Sequence, residues 1–397
     1  MPPMTRLLTA LVSGLLAAGT AWGQTVCPLT QVTDTTMCGG VFVSVDGGAA
    51  AFESTCDLTG GNPDASQEIF LFDGATFVQV TTSSGCGNLQ PSLSGGDVAF
   101  VSTCDLTAGN PGGQLELFLF DGSMTVQVTS LGSVLNPSAD AGGAAFVSAA
   151  DHAGNNADGN IEIFLFDGVT ISQVTNSAGA CQNMEPSLEG GAVAFRSNCD
   201  LTGTNPDGNI EVFLFDGVTI SQVTDTSGCG SLFFNSFGWV DLDGGVVAFA
   251  TNCNLTGGNA DGNFEIFQFD GTTFAQRTST SACNNTAPRL DGGVVGFSSS
   301  CTADGSTHVF VSDGVTSVDS TPGTGCSGLV HGLSGGTLAL TSQCDLTGSN
   351  PDGNPEIFLG ACRPASVVEV PAVGPVGLAA LALLLVAAGW LTLRRAA

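Results

Sequence analysis

Oxygen-bearing side chains recur on alternate positions around a glycine in this sequence, a pattern that suits binding of a hard cation. The spacing Asp-x₄-Asn-x-Asp-Gly-Asn-x-Glu spans residues 200–211 and returns in full at 345–356. Ca²⁺ binds several carboxylate and carbonyl oxygens around a tight, glycine-containing loop. The candidate calcium ligands are Asp200, Asn205, Asp207, Asn209, Glu211, Asp345, Asn350, Asp352, Asn354 and Glu356.

The same residue types also build turns without any metal. Asn and Asp side chains hydrogen-bond their own backbone, and Gly accepts positive φ. Other copies of the loop are degenerate: one reads NPDASQE, another NPGGQLE, and a third is shortened and has His308 where Glu is expected. This degeneracy favours turn-building, and Ca²⁺ remains the one cofactor that the sequence suggests.

Catalytic chemistry has weaker support in the sequence. His152, His308 and His331 lie in different repeats, and none forms a recognisable motif with a Ser or Cys nucleophile. Pairs of carboxylates indicate glycoside hydrolysis only at a measured separation. The sequence therefore favours a binding scaffold, with a hydrolase or lyase acting on an extracellular polymer as one alternative. A calcium-stabilised surface or adhesion protein is the other.

The largest departure from the repeat is the insertion SLFFNSFGWVD at residues 231–241. Its aromatic side chains either form an exposed binding patch or pack over the neighbouring sheet. The candidate patch residues are Phe233, Phe234, Phe237 and Trp239.

Seven repeats of about 48 residues must position these loops, a period typical of propeller blades. Alignment on Phe-Asp-Gly brings together segments such as QEIFLFDG (67–74), IEIFLFDG (161–168) and IEVFLFDG (210–217). Asp-Gly between alternating apolar residues is a strong hairpin signal, and each repeat divides into four short strands. The predicted fold is an all-β, seven-bladed β-propeller.

The two ends of the repeat region predict how the ring closes. Gln31-Val32-Thr33 matches the last strand of a repeat, whereas the final repeat stops at EIFLG and lacks that strand. Residues 28–33 should therefore complete blade seven, which removes an open sheet edge.

Units such as EPSLEGGAVAFRSNCDLTGTNPDGNIEVFLFDGVTISQVT (185–224) resemble the TolB-like, WD40-like (PD40) propeller repeat. The resemblance covers about residues 28–360. It implies a propeller that serves as a binding platform and does not define a substrate. The chain departs from the six-bladed TolB domain in its blade number and its cysteines.

Fourteen cysteines in an exported chain indicate disulfides. Most of them recur in pairs at one spacing, and one repeat has lost both members together, so pairing within repeats leaves no thiol unpaired. The two remaining cysteines flank the closing strand and the last strand. The predicted disulfides are Cys38–Cys56, Cys86–Cys104, Cys181–Cys199, Cys229–Cys253, Cys283–Cys301, Cys326–Cys344 and Cys27–Cys362.

Both ends of the chain read as targeting segments. Residues 1–23 form a predicted signal peptide. Residues 24–363 form the propeller and 364–375 a linker, and 376–397 form a transmembrane helix followed by a basic tail with a cytoplasmic C-terminus. The tail resembles PEP-CTERM/IPTL-CTERM sorting signals, with Pro371 and Gly377 at matching positions. That resemblance implies a Gram-negative envelope or surface protein anchored by one helix, with processing of the tail left open.

Charge limits the partners that this chain can bind. The net charge is −29, and there are 36 acidic residues against seven basic ones. Nucleic acid is a poor partner for such a surface, so the expected partner is a protein or an extracellular polymer. The ectodomain is expected to be monomeric, and Arg196, Arg277 and Arg289 are expected to pair with neighbouring carboxylates.

Overall fold

Seven four-stranded antiparallel sheets make up the fold, which confirms the all-β propeller prediction. The computed structural model describes residues 27–362 except 37, 39, 228, 230–239 and 324. No helix occurs in this part of the chain, so nothing in it qualifies as a membrane-spanning helix. The predicted signal peptide, linker and transmembrane segment, and the predicted aromatic patch Phe233, Phe234, Phe237 and Trp239, lie outside the described residues.

Each blade has four strands, numbered here in chain order. The outer strands, starting with the one that closes the ring, are β1 (Leu29–Gln31), β5 (Phe77–Gln79), β9 (Thr125–Gln127), β13 (Ile171–Gln173), β17 (Ile220–Gln222), β21 (Phe274–Gln276) and β25 (Ser317–Asp319). The innermost strands are β2 (Gly40–Asp46), β6 (Asn88–Ser94), β10 (Leu135–Asp140), β14 (Asn183–Glu189), β18 (Val240–Asp243), β22 (Asn285–Asp291) and β26 (Gly328–Ser334). The second strands are β3 (Ala49–Ser54), β7 (Asp97–Ser102), β11 (Gly143–Ser148), β15 (Ala192–Ser197), β19 (Val246–Thr251), β23 (Val294–Ser299) and β27 (Thr337–Ser342). The third strands are β4 (Glu68–Phe72), β8 (Glu116–Phe120), β12 (Glu162–Phe166), β16 (Glu211–Phe215), β20 (Glu265–Phe269), β24 (His308–Ser312) and β28 (Glu356–Ala361).

The blades are numbered in chain order, from blade 1 (β2–β5) to blade 7 (β26–β28 together with β1). The core lies between neighbouring blades. Successive strand residues point to opposite faces of a sheet, so in β7 Phe100 faces one neighbour while Ala99 faces the other. Phe100 packs with Ala51 and Ile69 of blade 1, whereas Ala99 packs against Phe146 of blade 3. A large side chain on one face and a small one on the other let adjacent sheets nest. Each fully buried Phe contributes roughly 1.5–3 kcal/mol.

The ring closes as the sequence predicts. Strand β1 pairs with β28, with Leu29 opposite Gly360 and Gln31 opposite Phe358. The innermost strand of each blade contacts that of the next, and β26 contacts β2. In the other blades a hairpin turn joins the third and fourth strands. In blade 7 the Cys27–Cys362 disulfide links these two strands instead.

The molecule has two unlike faces. One, called here the turn face, carries the short turns that join the first to the second strand and the third to the fourth. The other, called here the stapled face, carries the longer loops and six of the seven disulfides, each linking the loop that enters a blade to the end of its second strand. All seven predicted cysteine pairs form, and no cysteine is free.

Candidate functional site: the central channel

The innermost strands surround a channel, and a bulge in them selects the side chains that face it. The register of β2, β6, β10, β14, β22 and β26 shifts by a residue midway along the strand. The bulge places non-glycine residues in the left-handed region, which is an uncommon conformation that recurs at functional sites. These residues are Phe42 (φ 54°), Gln90 (φ 53°), Asn136 (φ 51°), Glu185 (φ 52°) and Ala287 (φ 51°).

Two residues after the bulge position, a serine ladder links blade to blade around the first half of the channel. Each serine hydroxyl accepts the backbone N–H of the next innermost strand. The bonds run from Leu93 to Ser44 (2.9 Å), Ala139 to Ser92 (2.9 Å), Leu188 to Ser138 (3.0 Å) and Leu242 to Ser187 (3.0 Å).

In blades 5–7 the serine of the ladder is replaced by other residue types. Asp241 replaces serine in blade 5, and its Oδ2 accepts the N–H of Leu290 at 2.7 Å. Arg289 and Gly332 occupy the same position in blades 6 and 7. A Cβ at Gly332 would lie 2.8 Å from Cγ1 of Val45, so blade 7 has no room for a side chain where it meets blade 1.

These substitutions create a charged wall on one side of the channel. The Nε of Arg289 donates to the carbonyl of His331 at 2.6 Å, and His331 Nε2 lies 2.9 Å from Thr341 Oγ1. Burial raises the pKa of Asp241 to about 6, although the nearby Arg289 opposes the rise. Burial and the charge of Arg289 lower the pKa of His331 to about 3, so the imidazole is neutral.

The opposite wall carries its own polar contacts. Glu185 forms an ion pair of 2.9 Å with the buried Arg196. The side chain of Gln90 accepts the N–H of Asn136 at 2.8 Å, while Glu53 accepts the N–H of Gln90 at 2.9 Å. Glu53 is 1% exposed, and burial raises its pKa to about 7.

Carboxylates surround the channel at the turn face. Each caps a glycine N–H in the first turn of the following blade. The contacts join Asp46 to Gly95 (2.7 Å), Asp140 to Gly190 (2.6 Å), Glu189 to Gly244 (2.9 Å), Asp243 to Gly292 (2.7 Å) and Asp291 to Gly336 (2.6 Å). This acidic ring makes the turn-face mouth negative, which disfavours entry of anions there.

The channel contains a cavity of about 260 Å³ whose lining includes Gln90, Glu185, Asp241, Arg289 and His331. The cavity thus presents both signs of charge together with amide and hydroxyl groups. Clustered groups with perturbed pKa values in a concave site are typical of functional sites. We identify this cavity as the candidate binding site.

The predicted calcium ligands have other partners in the structure. The Glu211 carboxylate accepts hydrogen bonds from Thr224 Oγ1, from the N–H (2.7 Å) and hydroxyl (2.5 Å) of Thr226, and from Asn209 Nδ2 (2.8 Å). Asp200 accepts the N–H of Asn205 at 2.9 Å. Each of these two carboxylates therefore organises its own blade.

The second complete copy of the loop behaves in the same way. Asp345 accepts the N–H of Asn350 at 2.9 Å. Glu356 accepts the N–H of Thr35 at 2.8 Å and its hydroxyl at 2.7 Å, and so binds the segment that follows the closing strand. Asp207 and Asp352 are exposed on their turns.

The polar atoms of these loops that lack a hydrogen-bond partner are neutral amide oxygens. The buried Oδ1 atoms that lack a hydrogen-bond partner belong to Asn205, Asn209, Asn350 and Asn354, and to their counterparts Asn156, Asn160, Asn259 and Asn263. Within the described residues no group of three or more His, Cys, Asp or Glu is placed to hold a metal. Two amide oxygens per loop suit an ordered water, and calcium binding stays a prediction.

Sequence reasoning missed most of the channel residues. In an alignment of the innermost strands, Asp241, Arg289 and Gly332 occupy the position that is serine in the other four blades. That break in the repeat is the sequence signal that marks the channel wall. Of the arginines expected to pair with carboxylates, Arg196 does so, and Arg289 lies close enough to influence Asp241. Arg277 instead donates to the amide oxygen of Gln268 at 2.5 Å.

Solved structures resemble this fold, although no family model matches the sequence and no curated protein matches it. The β-propeller domain of the Trilobed protease from Pyrococcus furiosus aligns with a TM-score of 0.55 and 8% identity, over 82% of this chain and 96% of that chain. A prolyl endopeptidase aligns with a TM-score of 0.52 and 14% identity, over 77% of this chain and 45% of that chain. An oligogalacturonate lyase in complex with manganese aligns with a TM-score of 0.50 and 12% identity, over 87% of this chain and 99% of that chain. Such low identities show the propeller fold alone.

Proposed function

We propose that this protein is an exported, membrane-anchored propeller that binds a partner in its central channel at the bacterial envelope. The observation that carries the proposal is the asymmetry of the channel wall. Blades 1–4 repeat serine, whereas blades 5–7 place Asp241, Arg289 and Gly332 at the same position. A purely structural ladder has no need for two oppositely charged side chains beside a cavity, because removing charges from water costs free energy.

The cavity favours a ligand with both hydrogen-bonding and charged groups. Asp241 suits an ammonium or amide N–H, while Arg289 and Gln90 suit carbonyl or carboxylate oxygens. The acidic ring disfavours an anionic polymer entering from the turn face. We therefore favour the end of a peptide chain from an envelope partner over an acidic polysaccharide.

The cellular setting of this proposal rests on the sequence. The predicted signal peptide and apolar tail support export and anchoring, and the repeat resembles the TolB-like PD40 family of binding platforms. Gel filtration of residues 24–363 tests the expected monomer. Fractionation of cells that express the chain with and without residues 364–397 tests the anchor: loss of the tail should release the protein from the membrane fraction.

A pull-down tests the proposed site. Residues 24–363 are used as bait in envelope extract, in parallel with Asp241→Asn and with the exposed turn variant Asp270→Asn as a matched control. The wild type and Asp270→Asn should capture the same protein, and Asp241→Asn should lose most of it while its melting temperature shows that it is folded. Equal capture by all three baits would place binding elsewhere, and capture of polysaccharide alone would favour the hydrolase or lyase alternative.

A further inference from the structure

Blade 6 differs from the other blades at the start of its third strand. There the other six blades have a buried glutamate, and blade 6 has His308, which is 5% exposed. The position on the outer strand that is Gln79, Gln222 or Gln276 elsewhere is Asp319. Both changes fall in one blade, and the two altered side chains contact each other: His308 Nδ1 lies 2.7 Å from Asp319 Oδ2.

A serine completes this cluster. Ser306 lies two residues before His308, and alternation along an extended segment brings the two side chains to one side. Ser306 Oγ is 3.0 Å from His308 Nε2. Hydroxyl, imidazole and carboxylate thus stand in sequence, each within the range of about 2.6–3.2 Å that an activated nucleophile requires.

The loop that shields this position in other blades is shorter here. In blade 4, residues 198–210 join the second and third strands, and Thr202 contacts Gln222 at 3.1 Å. In blade 6, residues 300–307 make the same connection. Asp319 contacts His308 and the N–H of Thr321 instead of a loop threonine. A cavity of about 230 Å³ borders Asp319, with Leu29, Val318, Pro322 and Leu346 in its wall.

We propose that Ser306, His308 and Asp319 form a nucleophilic site for small, uncharged acyl esters. Ser306 Oγ attacks the acyl carbon while His308 Nε2 takes the hydroxyl proton, and Asp319 accepts the hydrogen on Nδ1 and orients the ring. The ester C–O bond breaks, and His308 protonates the departing alkoxide. Water then attacks the acyl-serine, which releases the carboxylic acid and restores the hydroxyl.

Asp304 is the other acceptor near the nucleophile. Its Oδ1 lies 2.6 Å from Ser306 Oγ. Hydrogen bonds from Ser306 and from the N–H of Gly325 hold the pKa of Asp304 below its usual range. Imidazole is in general a stronger base than carboxylate, so the proton passes to His308 during attack, and Asp304 positions the hydroxyl.

The chain supplies a matched control in blade 3. Ser148 Oγ lies 2.9 Å from His152 Nε2, a serine–imidazole contact similar to that of Ser306. Within the described residues no carboxylate is hydrogen-bonded to His152, and burial lowers the pKa of its ring. Ser148 should therefore remain inert where Ser306 reacts.

The test uses the disulfide-bonded chain with an alkyl fluorophosphonate, followed by peptide mapping and p-nitrophenyl acetate hydrolysis. We expect label on Ser306 and none on Ser148. General-base catalysis contributes about 10²–10⁴-fold, so His308→Glu, which restores the residue of the other blades, should lower the labelling rate about 100-fold. Asp319→Asn should lower it by a similar factor.

Ser306→Ala should abolish both label and hydrolysis, while Ser148→Ala changes neither. Thermal melts confirm that each variant is folded before its rate is compared. Wild-type protein that is folded yet unlabelled at Ser306 overturns the proposal. So does a labelling rate that His308→Glu leaves unchanged, since a structural role for the histidine predicts that result.

Discussion

The stapled face and the turn face hold the same blades together by different means. On the stapled face, six disulfides each tie one blade to itself, and buried glutamates such as Glu68 bond both to their own blade and to the next, whose Asn88 donates to Glu68 at 3.0 Å. On the turn face, carboxylates such as Asp140 tie each blade to the next, and a single disulfide closes the ring. The disulfides within blades therefore lie on the stapled face, whereas the disulfide that closes the ring lies on the turn face.

This difference predicts that one turn-face disulfide matters more than any one disulfide of the stapled face. Cys27 and Cys362 are 335 residues apart, whereas Cys181 and Cys199 are 18 apart. In the chain-entropy description, replacing the first pair by serine costs about 6 kcal/mol and replacing the second about 3 kcal/mol. Denaturant unfolding of the two double variants measures both losses, and equal losses would show that ring closure adds no stability of its own.

The second largest effect should come from the buried glutamates. Glu211 is 2% exposed and accepts four hydrogen bonds. Glu211→Ala removes the carboxylate that accepts from the buried Thr224 hydroxyl and from the N–H and hydroxyl of Thr226, which should cost about 4 kcal/mol. Asp216 on the turn face is the control: its carboxylate also accepts several hydrogen bonds but is exposed, so Asp216→Ala should cost much less. If the two variants lost similar amounts of unfolding free energy, burial would not distinguish the carboxylates of the two faces.

Much of this architecture is readable from the sequence. The Asp-Gly hairpins define the strands, Gln31-Val32-Thr33 reveals the closing strand, and the cysteine spacing reveals the six pairs within blades, because each of these signals is a short motif that recurs from repeat to repeat. The hydrogen bond from Gly190 to Asp140 joins two blades, and no short sequence motif predicts it. The channel lining depends on a bulge that puts Glu185 at a φ of 52°, and periodicity cannot place a bulge. The loop carboxylates look like metal ligands in sequence because turn-building and cation binding use the same residue types.

The pH dependence of stability distinguishes the channel from the turn face, because burial raises the pKa of Glu53 near the channel, whereas hydrogen bonds lower the pKa of Asp216 on the turn face. The pKa of Glu53 rises from its ordinary value of 4.5 to about 7 on burial. Between those values the folded chain holds a proton that the unfolded chain has lost, so this group makes stability fall as pH rises from about 4.5 to 7. At about 1.4 kcal/mol per pKa unit, the loss is about 3.5 kcal/mol.

Glu53→Gln should remove this loss. The variant should be more stable than wild type at pH 8 and similar to it at pH 4, as measured by denaturant unfolding across that range. Asp216→Asn is again the comparison, since the pKa of Asp216 is lowered by its hydrogen bonds. A parallel shift of the Glu53→Gln curve at all pH values would mean that packing, not ionisation, sets the difference.

Removing calcium should have the smallest effect on stability. The experiment tests whether the loops of the stapled face need a bound cation in addition to their hydrogen bonds and disulfides. The carboxylates of Glu211 and Glu356 already accept protein donors, and Ca²⁺ prefers six to eight oxygens that include carboxylates. The melting temperature should therefore be the same in EDTA and in millimolar CaCl₂. A rise of several degrees with Ca²⁺, abolished by Asn205→Ala and Asn350→Ala together, would instead assign the unpaired amide oxygens to the cation. The stapled face would then be held by metal as well as by disulfides.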